Sequence, residues 1–345
     1  MSARATNLSI FALLLLELAS GVGSYLTGSP QGAWVLWVHG IGGMTLLVLL
    51  VWKWRIVMRS FMRQGAGLWA VPSALLGLLF LATLAVGVLW VLGWAPGVQI
   101  PGYGSMRPMV LHAVLAVLLV IPFATHTAAH WPRFKPADMA SRRAALRTLA
   151  LGGAGFVLWR GLDAVSTVTA ADRRFTGSRE EGSFTGNAHP VTQWLGDERQ
   201  HLNRASWPLH LGGEVREPLD IGYEDIESLA TTEVRATLDC TGGWYTTQDW
   251  TGVRLGALLD EAGAGEHAAS VVVRSVTGYS RRFPLGEARE LLLATHVGGD
   301  RLSAGHGFPA RLVVPGRRGY HWVKWVVAIE VSARPWWWQP PLPVQ

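Results

Sequence analysis

The sequence predicts a multidomain protein, in which an all-α transmembrane helix bundle of about five spans precedes an α+β domain. Mean hydropathy is +0.24, and only 16% of the residues are charged, whereas soluble domains contain about 25%. The chain also has 18 tryptophans, a residue type that gathers at membrane interfaces. Its length of 345 residues suggests about two domains.

The charges are unevenly distributed along the chain. Residues 1–171 hold 12 Lys and Arg against 3 Asp and Glu, whereas residues 172–345 hold 18 against 21. The basic half is also the apolar half, which indicates membrane topology and argues against a nucleic-acid partner. The single cysteine, Cys240, excludes an intrachain disulfide framework and a cysteine-based zinc or iron–sulfur cluster.

Membrane lipid is therefore an expected partner of the first half. A spanning helix needs about 20 apolar residues. The candidate spans are Leu8–Leu26, Ala33–Trp54, Leu68–Trp94, Met109–Thr125 and Thr148–Ala170. The fifth is the weakest, because Arg160 and Asp163 follow its apolar run.

Basic loops set the expected orientation, since Lys and Arg collect on the cytoplasmic side. They follow the second and fourth spans, at Lys53, Arg55, Arg59, Arg63, Arg133, Lys135, Arg142, Arg143 and Arg147. This pattern predicts a multi-pass protein of the bacterial cytoplasmic membrane. Its parts would be a four-helix transmembrane bundle (1–132), a basic segment with the fifth helix (133–171) and an exported periplasmic or extracellular domain (172–345).

The run from Ser141 to Leu146, S-R-R-A-A-L, resembles the twin-arginine export signal. That export route moves proteins already folded around a cofactor. Ordinary positive-inside charge is the alternative interpretation.

Two histidines, His39 and His112, lie in the second and fourth predicted spans at matched depth, about 7–9 Å from the outer ends. Two such side chains on two helices are what axial ligation of a b-type haem iron requires. A hydrogen bond across helices is the alternative. Residues 8–130 resemble the bacterial b-type cytochromes that anchor redox enzymes, which implies haem b and a quinone or quinol partner. His126 and His130 would then belong to a quinone site or simply lie at the membrane interface.

Residues 172–345 have the composition of a globular domain. Runs rich in β-branched residues predict strands and are separated by Gly and Pro turns. The strands are Val234–Leu238, Ser270–Val276, Ala310–Val314 and Val323–Val331, and the short helices are Asp225–Leu229, Leu255–Glu261 and Gly286–Leu292.

Cys240 ends one of these strands and is a buried structural thiol, a nucleophile or a soft metal ligand. Its segment R-A-T-L-D-C-T-G-G-W is followed by G-H-G-F-P-A-R-L-V-V-P-G and G-Y-H-W-V-K-W. In this order, residues 180–333 resemble the molybdopterin-binding domain of the sulfite oxidase family. The resemblance implies a molybdenum–molybdopterin cofactor with Cys240 as the thiolate ligand of the metal.

The resemblance also implies roles for other residues. Asn187 and His189 match the first pterin-contacting loop, and Ser275 lies at a cofactor-contacting strand end. His306 and Arg311 match positions that hold the pterin and its phosphate. The remaining cofactor contacts are Trp322, Val323 and Lys324. Asn187 as a turn cap and Arg311 in a surface ion pair are the plain alternatives.

Arg281 and Arg317 are the predicted catalytic arginines beside the metal, where they would suit a small oxyanion or sulfoxide substrate. The alternative is that one arginine of each Arg-Arg pair faces solvent. The segment after Cys240 lacks the arginine with which animal and plant members of the family bind sulfite. The tryptophan-rich tail Pro335–Pro341 is predicted to dock on the outer leaflet or on the helix bundle.

The expected function is that of a membrane-bound molybdenum-cofactor oxidoreductase. Electrons would pass between a haem b and quinone system and a sulfite-like or sulfoxide-like substrate outside the cytoplasm. The alternative is a haem-containing electron-transfer anchor whose outer domain is a non-catalytic binding module.

Overall fold

The computed structural model describes residues 2–64, 70–94, 96–100, 104–131, 142–194 and 197–343. The chain separates into two compact units, Met1–Arg179 and Glu180–Gln345. The first unit is mainly helical, and the second combines strands with short helices. An apolar helical region followed by an α+β domain is therefore confirmed. Arg133, Lys135 and Ser141 lie outside the described residues.

Within its described residues, the first unit contains five long helices. They are α1 (Ala3–Leu26), α2 (Ala33–Gln64), α3 (Ala70–Val91), α4 (Pro108–Ala129) and α5 (Arg142–Thr169). Strands β1 (Val98–Ile100) and β2 (Gly104–Met106) form an antiparallel pair between α3 and α4.

Four stretches of the described residues are long and apolar enough to cross a membrane: Ala3–Leu26, Pro30–Met62, Val71–Val91 and Pro108–Ala129. Helix α5 covers most of the fifth predicted span but is not among them. Its apolar stretch is short because arginines occupy its first turns and Arg160 pairs with Asp163 at 2.9 Å. A span at α5 stays a prediction.

Close glycine contacts join α5 to α2. A Cβ atom at Gly40 would lie 2.6 Å from the Trp159 ring, and one at Gly155 would lie 2.0 Å from Oγ1 of Thr45. Small residues of this kind let helix backbones approach closely. Helix α5 therefore lies along α2 whether or not it spans a membrane by itself.

The segment after α5 is part of the first unit, although the sequence assigned it to the second domain. Trp90 Nε1 donates to the Gly177 carbonyl at 2.9 Å, and Arg179 donates to the Trp90 carbonyl at 2.6 Å. Arg173 donates to Asp163 at 3.2 Å. These contacts bind residues 173–179 to the end of α3 and to α5.

The second unit contains a six-stranded and a five-stranded sheet. The first sheet has β3 (Arg179–Glu180), β6 (Thr232–Asp239), β7 (Trp244–Arg254), β10 (Leu292–Val297), β11 (Asp300–Arg301) and β12 (Arg311–Val313). The second has the order β5 (Leu219–Ile221), β4 (Leu209–Gly213), β13 (Val326–Ser332), β8 (Ser270–Ser275) and β9 (Ser280–Pro284). Strands β13 and β4 run parallel.

Three short helices complete this unit: α6 (Tyr223–Leu229), α7 (Leu255–Ala262) and α8 (Leu285–Glu290). The expected strands and helices all occur, with shifts of a few residues at their ends. Strand β7, the longest in the domain, was not predicted because its inward residues include Thr246 and Gln248, which are buried polar side chains.

The core of the second unit is formed by the buried faces of these strands together with α7. Trp250, Leu255, Phe283 and Ile329 are each less than 1% exposed. The loop after β3, loops at the ends of β6 and β8, and loops before β12 and β13 carry most of the residues that the sequence singled out. The packed core therefore holds these loops in fixed positions.

Candidate active site

A cleft of about 740 Å³, open solvent included, lies in the second unit. Its lining brings together seven residues predicted from the sequence. They are His189, Ser275, Cys240, His306, Arg311, Trp322 and Lys324.

Cys240 lies in the turn between β6 and β7 and lines the cleft. Gly243 has a φ of +90°, which makes the tight turn possible. The Gly242 N–H donates to Cys240 Sγ at 3.3 Å. Burial raises the pKa of the thiol, while this N–H and the charge of Arg318 act in the opposite direction. The site therefore disfavours a free thiolate nucleophile but suits a metal ligand, because a bound cation replaces the thiol proton.

Arg311 begins β12 and is 1% exposed. Its guanidinium lies 5.0 Å from the Trp250 ring centre and donates to the His306 carbonyl at 3.1 Å. Nε has no hydrogen-bond partner, and within the described residues no carboxylate forms an ion pair with this side chain. Burial lowers the pKa of Arg311 to about 9. A buried cation without a counter-ion is costly, so the cleft suits an anionic ligand.

Lys324 supplies a second positive charge to the cleft. Its Nζ donates to the carbonyls of Thr192 at 2.9 Å and Gly305 at 2.8 Å. Burial, helped by the charge of Arg311, lowers the pKa of Lys324 to about 7. Gly307, with a φ of +109°, leaves no room for a side chain between Arg311 and Lys324. The backbone thus brings the two cations together.

The ring centres of His189 and His306 lie 4.0 Å apart, and the two rings are tilted by 54°. His306 uses both nitrogens, since Nε2 donates to the His189 carbonyl at 2.9 Å and Nδ1 accepts from Ser303 Oγ at 2.7 Å. His189 donates from Nδ1 to the Gly186 carbonyl at 2.7 Å, and its buried Nε2 has no partner. Burial lowers the pKa of His189 to about 3, so this ring is neutral and Nε2 is an acceptor.

Ser275 and Trp322 also line the cleft, whereas Val323 and Asn187 do not. Val323 is fully buried, and its carbonyl accepts from Leu312 N at 2.7 Å. Asn187 bonds both ends of its amide to the neighbouring loop, at the Arg301 carbonyl (2.7 Å) and at Ser303 N (2.8 Å). Roles of Val323 and Asn187 in cofactor binding stay predictions.

The two predicted catalytic arginines are not in the cleft lining. Arg317 makes a two-pronged ion pair with Glu287, at 2.6 and 2.5 Å. Arg281 donates to the carbonyls of Pro340 at 3.3 Å and Pro341 at 3.4 Å. Their catalytic role stays a prediction, and these contacts weigh against it.

A buried ion pair, absent from the predicted site, supports the cysteine turn. Arg318 and Asp239 are 4% and 2% exposed and pair at 2.7 Å. Arg318 also donates to the Cys240 carbonyl at 3.2 Å. The sequence signal that could have found it is Asp239, an acidic residue at the end of β6 directly before Cys240.

Aromatic side chains form much of the cleft wall and were mostly not assigned from the sequence. Tyr279 donates its hydroxyl to the Tyr320 carbonyl, and Trp244 Nε1 donates to Thr192 Oγ1 at 3.1 Å. The aromatic members are Trp194, Trp244, Tyr279, Tyr320, Trp322 and Trp325. Their ring edges and faces exclude water and offer flat surfaces to a heterocyclic ligand.

The first unit brings the two predicted haem ligands together. The ring centres of His39 and His112 are 6.0 Å apart, and the rings are nearly perpendicular at 87°. Nδ1 of His39 lies 3.0 Å from Glu17 Oε2 and 3.1 Å from Ser20 Oγ, and Nδ1 of His112 lies 2.8 Å from the Thr83 carbonyl. Contacts of this kind orient histidines that bind a metal through Nε2.

Comparisons with known proteins agree with the cleft geometry. The family model described as the oxidoreductase molybdopterin binding domain matches residues 197–338. An uncharacterized oxidoreductase of Bacillus subtilis, YuiH, is 29% identical over 162 residues, which cover 45% of this chain and 82% of the relative.

Two further relatives carry named activities. Mitochondrial sulfite oxidase of Rattus norvegicus is 30% identical over 182 residues, covering 44% of this chain and 32% of the relative. The protein-methionine-sulfoxide reductase catalytic subunit MsrP of Gluconobacter oxydans is 28% identical over 166 residues, covering 42% of this chain and 52% of the relative. The chain thus spans about a third and about half of the lengths of these two proteins.

Residues 197–338 of the second unit thus match the oxidoreductase molybdopterin binding domain, and the unit is similar to sulfite oxidase-family oxidoreductases. This confirms the predicted enzyme class, a molybdopterin-dependent oxidoreductase.

Proposed function

We propose that the protein is a membrane-bound molybdenum-cofactor oxidoreductase that exchanges electrons between a haem b and quinone system and a small substrate. The observation that carries the proposal is the shared cleft of Cys240 and the buried, carboxylate-free Arg311. One group offers a soft metal ligand and the other a site for an anion.

The chain's residues fit a molybdenum–molybdopterin group. Cys240 would ligate the metal, Arg311 and Lys324 would bind the phosphate, and His189 Nε2 would accept a hydrogen bond that no described side chain donates. The Asp239–Arg318 pair holds the cysteine turn through the Cys240 carbonyl. When bound, the cofactor supplies the redox chemistry, and the protein supplies position and electrostatics.

We propose that His39 and His112 would hold a haem b. Their ring centres are 6.0 Å apart, and each ring is oriented through Nδ1, which leaves Nε2 for the iron. Glycines flank both rings, since a Cβ at Gly87 would lie 3.0 Å from His112 and one at Gly21 would lie 3.4 Å from His39.

The apolar helices α1–α4 support a location in the bacterial cytoplasmic membrane. The structure places Lys53, Arg55 and Arg59 in the second half of α2 and not in a loop as the sequence suggested. These residues, together with the arginines that begin α5, favour an inner position for those helix ends. The second unit would then lie on the periplasmic or extracellular side. The arginine pair that begins α5 supports export by the twin-arginine route.

Quinone or quinol would exchange electrons at the inner end of the bundle. There His126 Nδ1 lies 3.0 Å from Ser73 Oγ, and His126 stacks on His130 at 4.7 Å. The named relatives act on sulfite and on methionine sulfoxide, so we propose a small sulfur oxyanion or a sulfoxide as substrate. Sulfite would be oxidised with electrons passed to quinone, and a sulfoxide would be reduced by quinol.

The test is to measure molybdenum and haem per chain in detergent-purified protein from a host that makes the cofactor. We expect about one of each. The Cys240→Ala variant should lose nearly all activity with artificial electron donors and acceptors while its haem spectrum stays unchanged, because the thiolate ligand is removed. Haem without molybdenum in the parent protein would refute the enzyme proposal and favour an electron-transfer anchor with a non-catalytic outer domain.

A further inference from the structure

The C-terminal segment 335–341 lies against strand β9 of the second unit. The Gln339 side-chain amide bonds to the backbone of Arg282 in the way a neighbouring strand would. Its Oε1 accepts from Arg282 N at 3.0 Å, and its Nε2 donates to the Arg282 carbonyl at 2.7 Å. The buried Arg281 donates to two carbonyls of the segment, those of Pro340 and Pro341. The segment is therefore a fixed part of the domain surface.

This fixed segment presents three consecutive tryptophans to solvent. Trp336, Trp337 and Trp338 are 43%, 60% and 61% exposed. Trp337 and Trp338 pack edge to face at 6.1 Å, and the Arg317 guanidinium lies 6.0 Å from the Trp336 ring centre. We call these three residues the tryptophan patch. Adjacent exposed aromatic rings on an ordered support mark an interaction surface.

Positive charge borders the tryptophan patch. Arg334 is exposed, and its side chain forms no ion pair with any carboxylate of the described residues. Arg282 lies close enough that the charge of Arg334 contributes to lowering its pKa, although burial is the larger cause. Tryptophan prefers the headgroup region of a bilayer, and arginine pairs with phosphate. The patch and its border therefore match a phospholipid surface in both polarity and charge.

The segment that leads into the second unit is bonded to a candidate span. The segment that precedes Glu180 is bound to the end of α3 through Gly177 and Arg179, which contact Trp90. Helix α3 is one of the apolar stretches long enough to span a bilayer. The second unit thus begins at Glu180, directly after Arg179, which is bonded to the end of α3.

We propose that the tryptophan patch and Arg334 bind the headgroup region of the bilayer in which helices α1–α4 lie, with anionic phospholipid as the preferred partner. This inference rests on the proposed membrane location. Indole rings would enter the interfacial layer, and the Arg334 guanidinium would pair with lipid phosphate.

The experiment uses the full chain in lipid nanodiscs, with the photoreactive residue benzoylphenylalanine in place of Trp337. The matched control carries it in place of Phe184, which is 60% exposed in the same unit. Adducts are identified by mass spectrometry. We expect several-fold more lipid adduct at position 337 than at 184. Adding phosphatidylglycerol to phosphatidylcholine discs should raise the yield at 337, and Arg334→Gln should abolish that rise.

Equal lipid adduct yields at the two positions would overturn the inference. Adducts from position 337 to protein, whether this chain or a second copy, would overturn it in favour of a protein contact. A chain that does not enter the discs at all would refute the membrane location as well, so failure of the inference and failure of the proposed function are distinguishable.

Discussion

The two candidate redox sites differ in how their polar groups are held. In the helical unit, His39 and His112 are each oriented through Nδ1 by neighbouring helices, and much of the surrounding helix surface is apolar and exposed. In the α+β unit, Cys240, Arg311 and His306 are nearly buried within a network of backbone and side-chain bonds. In the helical unit, two histidine side chains are each held separately. In the α+β unit, the polar groups hold one another in a connected network.

The difference agrees with the cofactors that we propose for the two sites. An iron porphyrin held by two neutral imidazoles needs matched ligands and apolar space. A cleft for an anionic cofactor must hold cations away from water, and a buried cation is tolerated only when its surroundings fix it in place. Removing one group should therefore have a local effect in the first unit and a wider effect in the second.

The largest expected effect is on the histidine pair. His112→Ala should reduce haem content per chain to near zero, since one axial ligand is lost, while molybdenum content stays at the parental level. The measurements are the haem absorption spectrum and metal analysis of the purified protein.

The matched control is His130→Ala at the end of α4, which should retain full haem. If the His112→Ala protein keeps its haem, the ligand assignment and the contrast between the sites are both wrong.

The second prediction concerns the buried pair below the cysteine turn. Asp239→Asn leaves the Arg318 charge buried without a counter-ion, which typically costs about 3–5 kcal/mol of unfolding free energy. Denaturant unfolding of the second unit, followed by tryptophan fluorescence, measures the loss.

Glu330→Gln provides the comparison. The side chains of Arg274 and Glu330 in this ion pair are 45% and 46% exposed, and such exposed pairs contribute at most about 1 kcal/mol to the free energy of unfolding. Similar losses in both variants would show that the Asp239–Arg318 pair has no special structural role.

The smallest expected effect is a pH dependence of cofactor binding. The pKa of Lys324 is lowered to about 7 in the cleft, so above pH 7 the cofactor-free protein has a neutral amine there. An anion that pairs with the ammonium must then bind together with a proton, and affinity should fall about tenfold per pH unit above pH 7.

Titration of cofactor-free protein with molybdopterin cofactor between pH 6 and 8.5 tests this expectation. Lys324→Arg keeps its charge and should flatten the profile. If the affinity of the parent protein for the cofactor does not change with pH, the Lys324 ammonium does not contribute to anion binding.

Sequence motifs identified much of the molybdopterin cleft, because Cys240, Arg311 and Lys324 occur in short segments whose local turns place them. They did not identify Arg318, whose role depends on contact with Asp239 across 79 residues of chain. They also favoured Arg281 and Arg317. The sequence does not show that Arg317 pairs with the Glu287 carboxylate or that Arg281 donates to backbone carbonyls.

The amino-acid order was sufficient for the division into an apolar helical unit and an α+β unit, for the pairing of His39 with His112, and for the class of the enzyme. These features follow from local hydropathy, helical rise and short motifs. Tertiary structure decided which polar atoms are left without partners, that Arg311 has no carboxylate among the described residues, and that the tryptophan-rich tail is fixed on β9. These depend on contacts between distant segments, which no local pattern encodes.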